Sequence, residues 1–209
     1  MTNKTNSRKW GELASGDSIK RATDSLEANG FTVMVAENGQ EAKEKVLEIL
    51  PKGTEVMTMS SVTLDTIGVT EYINESGDFD SVKEKLFGMD RKTQGREMQT
   101  LGAAPEWAIG SVHAVTEDGK VMVASNTGSQ LGAYAYGAEH VIWVVGTQKI
   151  VGNLDEGFKR LYEYTLPLES ERLKKVYGVP SFVSKLLIFN RETVPGRITI
   201  ILVKEKLGF

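Results

Sequence analysis

Residues 108–151 read AIGSVHAVTEDGKVMVASNTGSQLGAYAYGAEHVIWVVGTQKIV. Two β-type runs, 107–115 and 121–124, flank Glu117-Asp118-Gly119. Asp-Gly between such runs predicts a hairpin. A polar turn at 125–130 follows, and the small residues after it read as a helix starting near Ser129. Residues 140–145, HVIWVV, have strand length and an apolar run, the mark of a strand covered on both faces. Strand, polar turn, helix and strand in this order build the ligand clefts of α/β proteins, where loops meet at the carboxyl ends of parallel strands.

Helix and strand patterns alternate outward from this segment. Ile19, Ala22 and Leu26 stand at helical spacing in 18–28, with Asp17 as the N-cap and Gly30 as the stop. Residues 31–36 read as a strand, Asn38-Gly39 as a turn, and 40–50 as a helix ended by Pro51. A buried strand at 55–59 runs into Ser60-Ser61-Val62-Thr63 and a short helix around 64–68. Helical patterns continue through 72–73, 82–87 and 90–104. Residues 154–164 and 170–176 read as two helices, and 184–189 and 198–203 as two closing strands. This alternation predicts an α/β fold: a mostly parallel, twisted sheet flanked by helices, with an antiparallel hairpin. The length fits one domain over 1–209, with 1–12 as a polar, flexible arm.

Composition excludes several classes of function. Hydrophobic residues make up 40% of the chain and charged residues 25%, which supplies a core and sets the chain apart from disordered ones. The 25 basic and 28 acidic residues leave a net charge of −3, so no nucleic-acid binding is expected. The cations of 83–96 are interleaved with Glu84 and Asp90 and read as a solvated helical face. With no cysteine, the chain cannot form a disulfide, use a thiol nucleophile or ligate an iron–sulfur cluster. Its two histidines have no HxH or HxxxH spacing, so no metal site is expected and no cofactor is evident. The polar start MTNKTNSRKW is no signal peptide, and no apolar run reaches the roughly 18 residues of a membrane span. A cytoplasmic protein without a membrane span is expected.

The candidate site residues sit at predicted strand ends. Asn126, Thr127, Gly128, Ser129 and Gln130 follow a strand and open a helix, whose free N–H groups suit a small anion. The sequence matches neither GK[ST] nor GxGxxG, and simple N-capping is the competing reading. Ser60, Ser61 and Thr63 repeat the pattern at an earlier strand end. His113 is a candidate general base or orienting donor, Glu117 is the candidate carboxylate for proton transfer, and Thr116 lies between them. Structural roles compete for all three. Lys149 ends the 140–149 segment and can pair with an anion. His140 reads as a strand-entrance residue, and Tyr134 and Tyr136, two apart, cannot share a helix face.

These stretches together resemble the lactate-utilisation (LUD) domain family. The resemblance is carried by APEWAIGSVHAVTEDG and ASNTGSQLGAYAYGAEHVIWVVGTQKIV, by the earlier MSSVTLDTIGVTEYI, and by the tail VPGRITIILVKEKLGF. It implies the ribose-5-phosphate isomerase/CoA transferase-like fold, with ligands held at strand ends. Some members of the family act beside iron–sulfur subunits in oxidising L-lactate, and others are fused to a cysteine-rich module. The resemblance therefore implies an accessory protein that binds a small anionic metabolite in lactate or related organic-acid utilisation, with separate iron–sulfur partner proteins. Two other readings stand beside it: a free-standing enzyme acting on a phosphorylated sugar or an acyl-CoA, and a structural domain that forms a homo-oligomer.

Overall fold

Residues 10–209 are described in the computed structural model of the protein. The chain runs α1 (Gly16–Ala28), β1 (Thr32–Ala36), α2 (Gly39–Ile49), β2 (Glu55–Thr58), α3 (Val62–Thr66), α4 (Val69–Glu75), β3 (Asp80–Ser81), α5 (Val82–Phe87) and α6 (Arg91–Ala103). It continues through β4 (Trp107–Gly110), β5 (Ala114–Thr116), β6 (Val121–Ser125), β7 (His140–Gly146), β8 (Ile150–Val151), α7 (Leu154–Arg160), α8 (Leu166–Tyr177), β9 (Lys185–Phe189) and β10 (Ile198–Val203). Six strands form a parallel sheet in the order β1-β10-β7-β4-β2-β3. The others form a mixed sheet in the order β8-β5-β6-β9.

The apolar runs at 140–145 and 198–203 become the middle of the parallel sheet. Val141, Trp143 and Val145 of β7 face one core cluster, and Ile142 and Val144 face the other. In β10, Ile198, Ile200 and Leu202 share the first cluster, while Ile201 and Val203 share the second. Both faces are covered, so neither strand keeps a polar alternation. Ala42 and Val46 of α2 and Val69 and Ile73 of α4 cover one face. Ile19, Ala22 and Leu26 of α1 and Val115, Val121 and Val123 of the mixed sheet cover the other. Trp143 is the hub of that side, with ring centroids 5.0 Å from Phe189, 5.4 Å from Tyr134 and 6.4 Å from Phe31. The outer face of the mixed sheet places Ala114 and Met122 against Trp10 and Tyr164.

The Asp-Gly hairpin forms as the sequence predicts, with Ala114 opposite Met122 and Val115 opposite Val121. It lies in the mixed sheet, however, and the predicted strand 107–115 is two strands. β4 stays in the parallel sheet, the chain leaves it at 111–113, and β5 joins β6. The face turned to the shared core changes phase across this bend, from Ala108 and Val112 to Val115, and a short mixed run of small and apolar residues does not reveal it. Two helix starts also differ from the sequence reading. Ser15, not Asp17, caps α1, its Oγ accepting from the Ser18 N–H at 3.2 Å. Asn38 is the N-cap of α2 rather than half of a free turn, its Oδ1 accepting from the Glu41 N–H at 3.0 Å.

The segments read as two helices at 154–164 and 170–176 are one helical run from Leu154 to Tyr177. A π-helical turn at Leu161–Thr165 joins α7 to α8, ending two residues before Pro167. Proline offers no N–H, and the widened turn absorbs the break in the hydrogen-bond ladder. The expected arm at 1–12 falls mostly outside the described residues, and Trp10 at its end is buried. Among the described residues, no helix is long and apolar enough to cross a membrane.

Candidate functional site

Parallel strands deliver their following residues to one edge of the sheet. β2 leads into Ser60-Ser61-Val62-Thr63, β4 into Ser111, and β7 into the 3-10 turn Thr147–Lys149. These residues, with His113, the 124–130 turn and the inner side of α8, line a cleft of about 600 Å³. Tyr177, Val179 and Phe182 form an apolar stretch of its wall.

Lys149 sits at the inner end of the cleft and is only 3% exposed. Its Nζ donates to Thr63 Oγ1 at 3.0 Å and to Ser111 Oγ at 2.9 Å. Both hydroxyls spend their own protons on backbone: Thr63 Oγ1 donates to the Leu207 carbonyl at 3.2 Å, and Ser111 Oγ to the Val144 carbonyl at 2.7 Å. Among the described residues, no carboxylate forms an ion pair with Lys149. Burial pushes its amine well below the usual lysine range, and the positive charge of Arg160 pushes the same way. Gly208 closes over this group in a left-handed conformation, φ +66°. A Cβ there would stand 2.6 Å from Thr63 Oγ1 and 3.5 Å from Lys149 Nζ.

Arg160 of α7 is fully buried behind the cleft wall. Its Nε donates to the Gln148 carbonyl at 3.3 Å, and its Nη1 to the His113 carbonyl at 2.5 Å and Thr165 Oγ1 at 2.9 Å. Its Nη2 is buried without a hydrogen-bond partner. Burial lowers the guanidinium to about 10, so it is charged at neutral pH. Two buried basic groups therefore share this end of the cleft. The acids that line it are Asp65 and Glu169, and Glu169 is held by Arg172 in two hydrogen bonds of 2.7 Å.

His113 has a defined tautomer. Its Nδ1 accepts the Ala124 N–H at 3.1 Å, so the proton of the neutral ring belongs on Nε2, the nitrogen left for the cleft. Burial first, then the charges of Lys149 and Arg160, lowers the ring to about 3. The imidazole is thus a neutral donor at physiological pH. Of the two roles open from sequence, orienting donor fits this geometry and general base does not, because the basic nitrogen is already occupied.

The structure brings most of the candidate residues together. Ser60, Ser61, Thr63, His113, Asn126, Thr127, Ser129, Gln130 and Lys149 all line the cleft. Several also support local structure. Ser61 Oγ caps α3 by accepting the Leu64 N–H at 3.4 Å. Thr127 Oγ1 donates to Ser129 Oγ at 3.1 Å, Asn126 Oδ1 accepts from Ser184 Oγ at 3.1 Å, and Gln130 Nε2 donates to the Ala124 carbonyl at 3.4 Å. Gly128 shapes the turn: it has φ +88° and donates its N–H to Ser125 Oγ at 2.9 Å. Ser129 does not cap a helix, because helical structure begins at Leu131 and widens to a π turn at Ala133–Gly137. So short and irregular a segment has little dipole to offer an anion; the buried Arg160 guanidinium supplies the field instead.

Thr116 and Glu117 lie outside the cleft. Thr116 Oγ1 accepts the Lys120 N–H at 2.8 Å within the hairpin. Glu117 accepts from Arg21 Nε at 2.8 Å, Arg21 Nη2 at 2.9 Å and Ser18 Oγ at 2.5 Å. These bonds to α1 hold its carboxyl below the usual range. His140 stacks on Trp107 at 4.2 Å, at the opposite, amino end of the strands. Sequence reasoning missed Ser111, Arg160 and Gly208. Ser111 was hidden in an alternating strand pattern, and Arg160 looked like any charged residue of an amphipathic helix.

The iron–sulfur chemistry implied by the family resemblance does not fit these residues, because cluster ligation needs thiolates and the chain has no cysteine. Among the described residues, no group of three or more His, Asp or Glu side chains could hold a metal ion.

The fold is similar to the crystal structure of a DUF162 family protein from Deinococcus radiodurans, with a TM-score of 0.56 and 12% identity over 92% of this chain and 99% of that one. A weaker likeness, with a TM-score of 0.31 and 15% identity, covers 66% of this chain and 45% of eIF2B beta from Chaetomium thermophilum. No curated protein matches the chain at significant sequence similarity. The LUD domain model matches residues 19–203, which is most of the chain, and the protein belongs to the LUD domain family.

Proposed function

We propose that the protein binds a small anionic metabolite in this cleft and serves lactate or related organic-acid utilisation as an accessory protein, beside separate redox partners. The observation that carries this reading is the uncompensated guanidinium behind the inner end: buried Arg160 is charged and leaves Nη2 unpaired, while the neighbouring Lys149 amine has only hydroxyl partners. Burying a cation without a counter-charge is costly, and an anionic ligand offsets that cost. His113 adds an Nε2–H donor, and the hydroxyls of Ser60, Thr127 and Ser129 line the cleft nearby. The absence of cysteine supports placing any iron–sulfur chemistry on partner proteins.

A second reading, an enzyme acting on a phosphorylated sugar or an acyl-CoA, is favoured by size. About 600 Å³ lies in the range of pockets for drug-sized ligands and exceeds the need of a three-carbon acid. One screen tests both. Organic acids, sugar phosphates, nucleotides and CoA esters are added while the melting temperature is followed. A ligand at 100 times its Kd stabilises the native state by about 2.7 kcal/mol. The expected result is a rise with at least one anion that is lost in Lys149→Ala. No rise with any anionic compound refutes ligand binding. Recovery of iron–sulfur proteins with the affinity-purified native protein tests the accessory role, and their absence from such preparations counts against it.

A further inference from the structure

We propose that Lys149 is a reactive amine that captures the carbonyl group of its ligand as an imine, so that the ligand class is an aldehyde or ketone carrying an anionic group. The inference rests on the reading that the cleft binds a small anion, and adds a chemical step to it.

The direction of the hydrogen bonds carries the argument. Thr63 Oγ1 and Ser111 Oγ each give their only proton to a backbone carbonyl, so each must accept from Lys149 Nζ. Nζ therefore has two N–H groups committed. A neutral amine has two N–H groups and one lone pair, so both are satisfied and the lone pair takes the remaining tetrahedral direction. Lys149 lines the cleft, and the protein bonds already account for the other two directions. Among the described residues, no carboxylate is paired with the side chain to hold it as an ammonium. Burial and the neighbouring guanidinium favour the unprotonated form. His113 stands on the same cleft with a neutral Nε2–H, suited to polarise a carbonyl oxygen.

The step balances without a redox partner. The Nζ lone pair forms an N–C bond as the carbonyl π pair moves to oxygen. One Nζ proton passes to that oxygen, directly or through solvent, to give a carbinolamine. Loss of the hydroxyl with the second Nζ proton then releases one water and leaves the imine.

The experiment uses the full chain with three probes: pyruvate, which joins a ketone to a carboxylate; lactate, which lacks the carbonyl; and propanal, which lacks the charge. Each mixture is treated with cyanoborohydride, and the protein is mapped by peptide mass spectrometry alongside a thermal-shift measurement. Reduction of the pyruvate imine adds the mass of the ligand less one oxygen. The expected adduct is at Lys149, formed at least tenfold faster than at the exposed Lys20, and absent in Lys149→Arg and Lys149→Met. Its rate should stay high at neutral pH, where an ordinary lysine is protonated. A melting-temperature rise with pyruvate and lactate but no adduct overturns the imine and leaves anion binding standing. An adduct at Lys149 with propanal, without a rise from either acid, supports the reactive amine while anion binding fails. No adduct at Lys149 with pyruvate or propanal overturns the proposal outright.

Discussion

Replacing His113 with Asn should change how stability depends on pH far more than it changes the fold. In the native protein His113 Nδ1 accepts from the Ala124 N–H, and burial, with the basic side chains of Lys149 and Arg160 nearby, holds the ring at about 3 against an ordinary 6.5. The unfolded chain therefore binds a proton at this residue over a range where the native chain does not. Stability rises with pH wherever the unfolded state holds more protons, so this contribution falls as pH drops from 6.5 toward about 3. Each tenfold change in proton affinity is worth about 1.4 kcal/mol, so the full loss is about 5 kcal/mol, and about 2–3 kcal/mol of it falls between about pH 6.5 and pH 4.5. Asn places an Oδ1 near the position of Nδ1 and cannot titrate, so it can keep the Ala124 bond and remove the proton linkage. Urea unfolding of both proteins across this range is the assay. The difference between them isolates His113 from the carboxylates, which lose stability in acid in both. Parallel pH slopes for the two proteins, or a His113 ring signal in NMR that titrates near 6.5, would refute the assigned tautomer and its burial.

Three further substitutions test separate parts of the structure. Glu117→Gln should cost about 1 kcal/mol or less, because the Arg21 pair is partly exposed, and should leave a ligand-induced rise in melting temperature unchanged; loss of that rise would return Glu117 to the site. Arg160→Met removes charge-assisted bonds to two carbonyls and Thr165 and should cost about 3 kcal/mol or more by chemical unfolding, whereas a loss below about 1 kcal/mol would show that these bonds do not stabilise the cleft wall. Lys149→Met should be at least as stable as the parent at neutral pH. Because the native amine is lowered and the unfolded one stays near 10.5, the parent gains stability as pH rises toward 10.5 and stops gaining above it. A gap between the two that does not narrow over that rise contradicts the lowered amine.

Much of the fold was legible because burial leaves a direct mark on sequence. Residues 141–145 and 200–203 are apolar on consecutive positions, as a short strand covered on both faces requires, and they lie in β7 and β10. The Asp-Gly turn set the β5–β6 register in the same local way. What failed to show was geometry that local pattern does not encode. The bend at 111–113 moves the chain from one sheet to another and shifts the phase of burial: Ala108 and Val112 face the shared core, and after the bend Val115 does, while Ala114 turns outward. The π turn at Leu161–Thr165 joins what reads in sequence as two helices, 154–164 and 170–176, because a widened turn shifts the helical period. In the site, hydroxyl-rich strand ends were visible, but their partner was not: Ser111, Thr63 and Lys149 are 38 and 86 residues apart along the chain and meet only through the parallel register of β2, β4 and β7.

That register also explains why the cleft contains a structure unfavourable on stability grounds alone. A buried lysine served by two hydroxyls contributes less to folding than an apolar residue of equal volume would, and Arg160 keeps one buried nitrogen unpaired. Elsewhere in the described chain, charged groups are treated differently. Arg197, similarly buried, is matched by Glu192 at 2.9 Å and three backbone carbonyls, and Glu117 is matched by Arg21. The mismatch is local to the carboxyl edge of the parallel sheet, and local departures from a consistent structure are where function is expected. It also has one sign. A site with surplus positive charge, a neutral imidazole donor and an amine whose two N–H groups are already engaged favours a ligand that brings negative charge and an electrophilic centre. The same three side chains thus account for both anion binding and imine formation, and separating those two properties by Lys149→Arg distinguishes a charge that attracts from a lone pair that reacts.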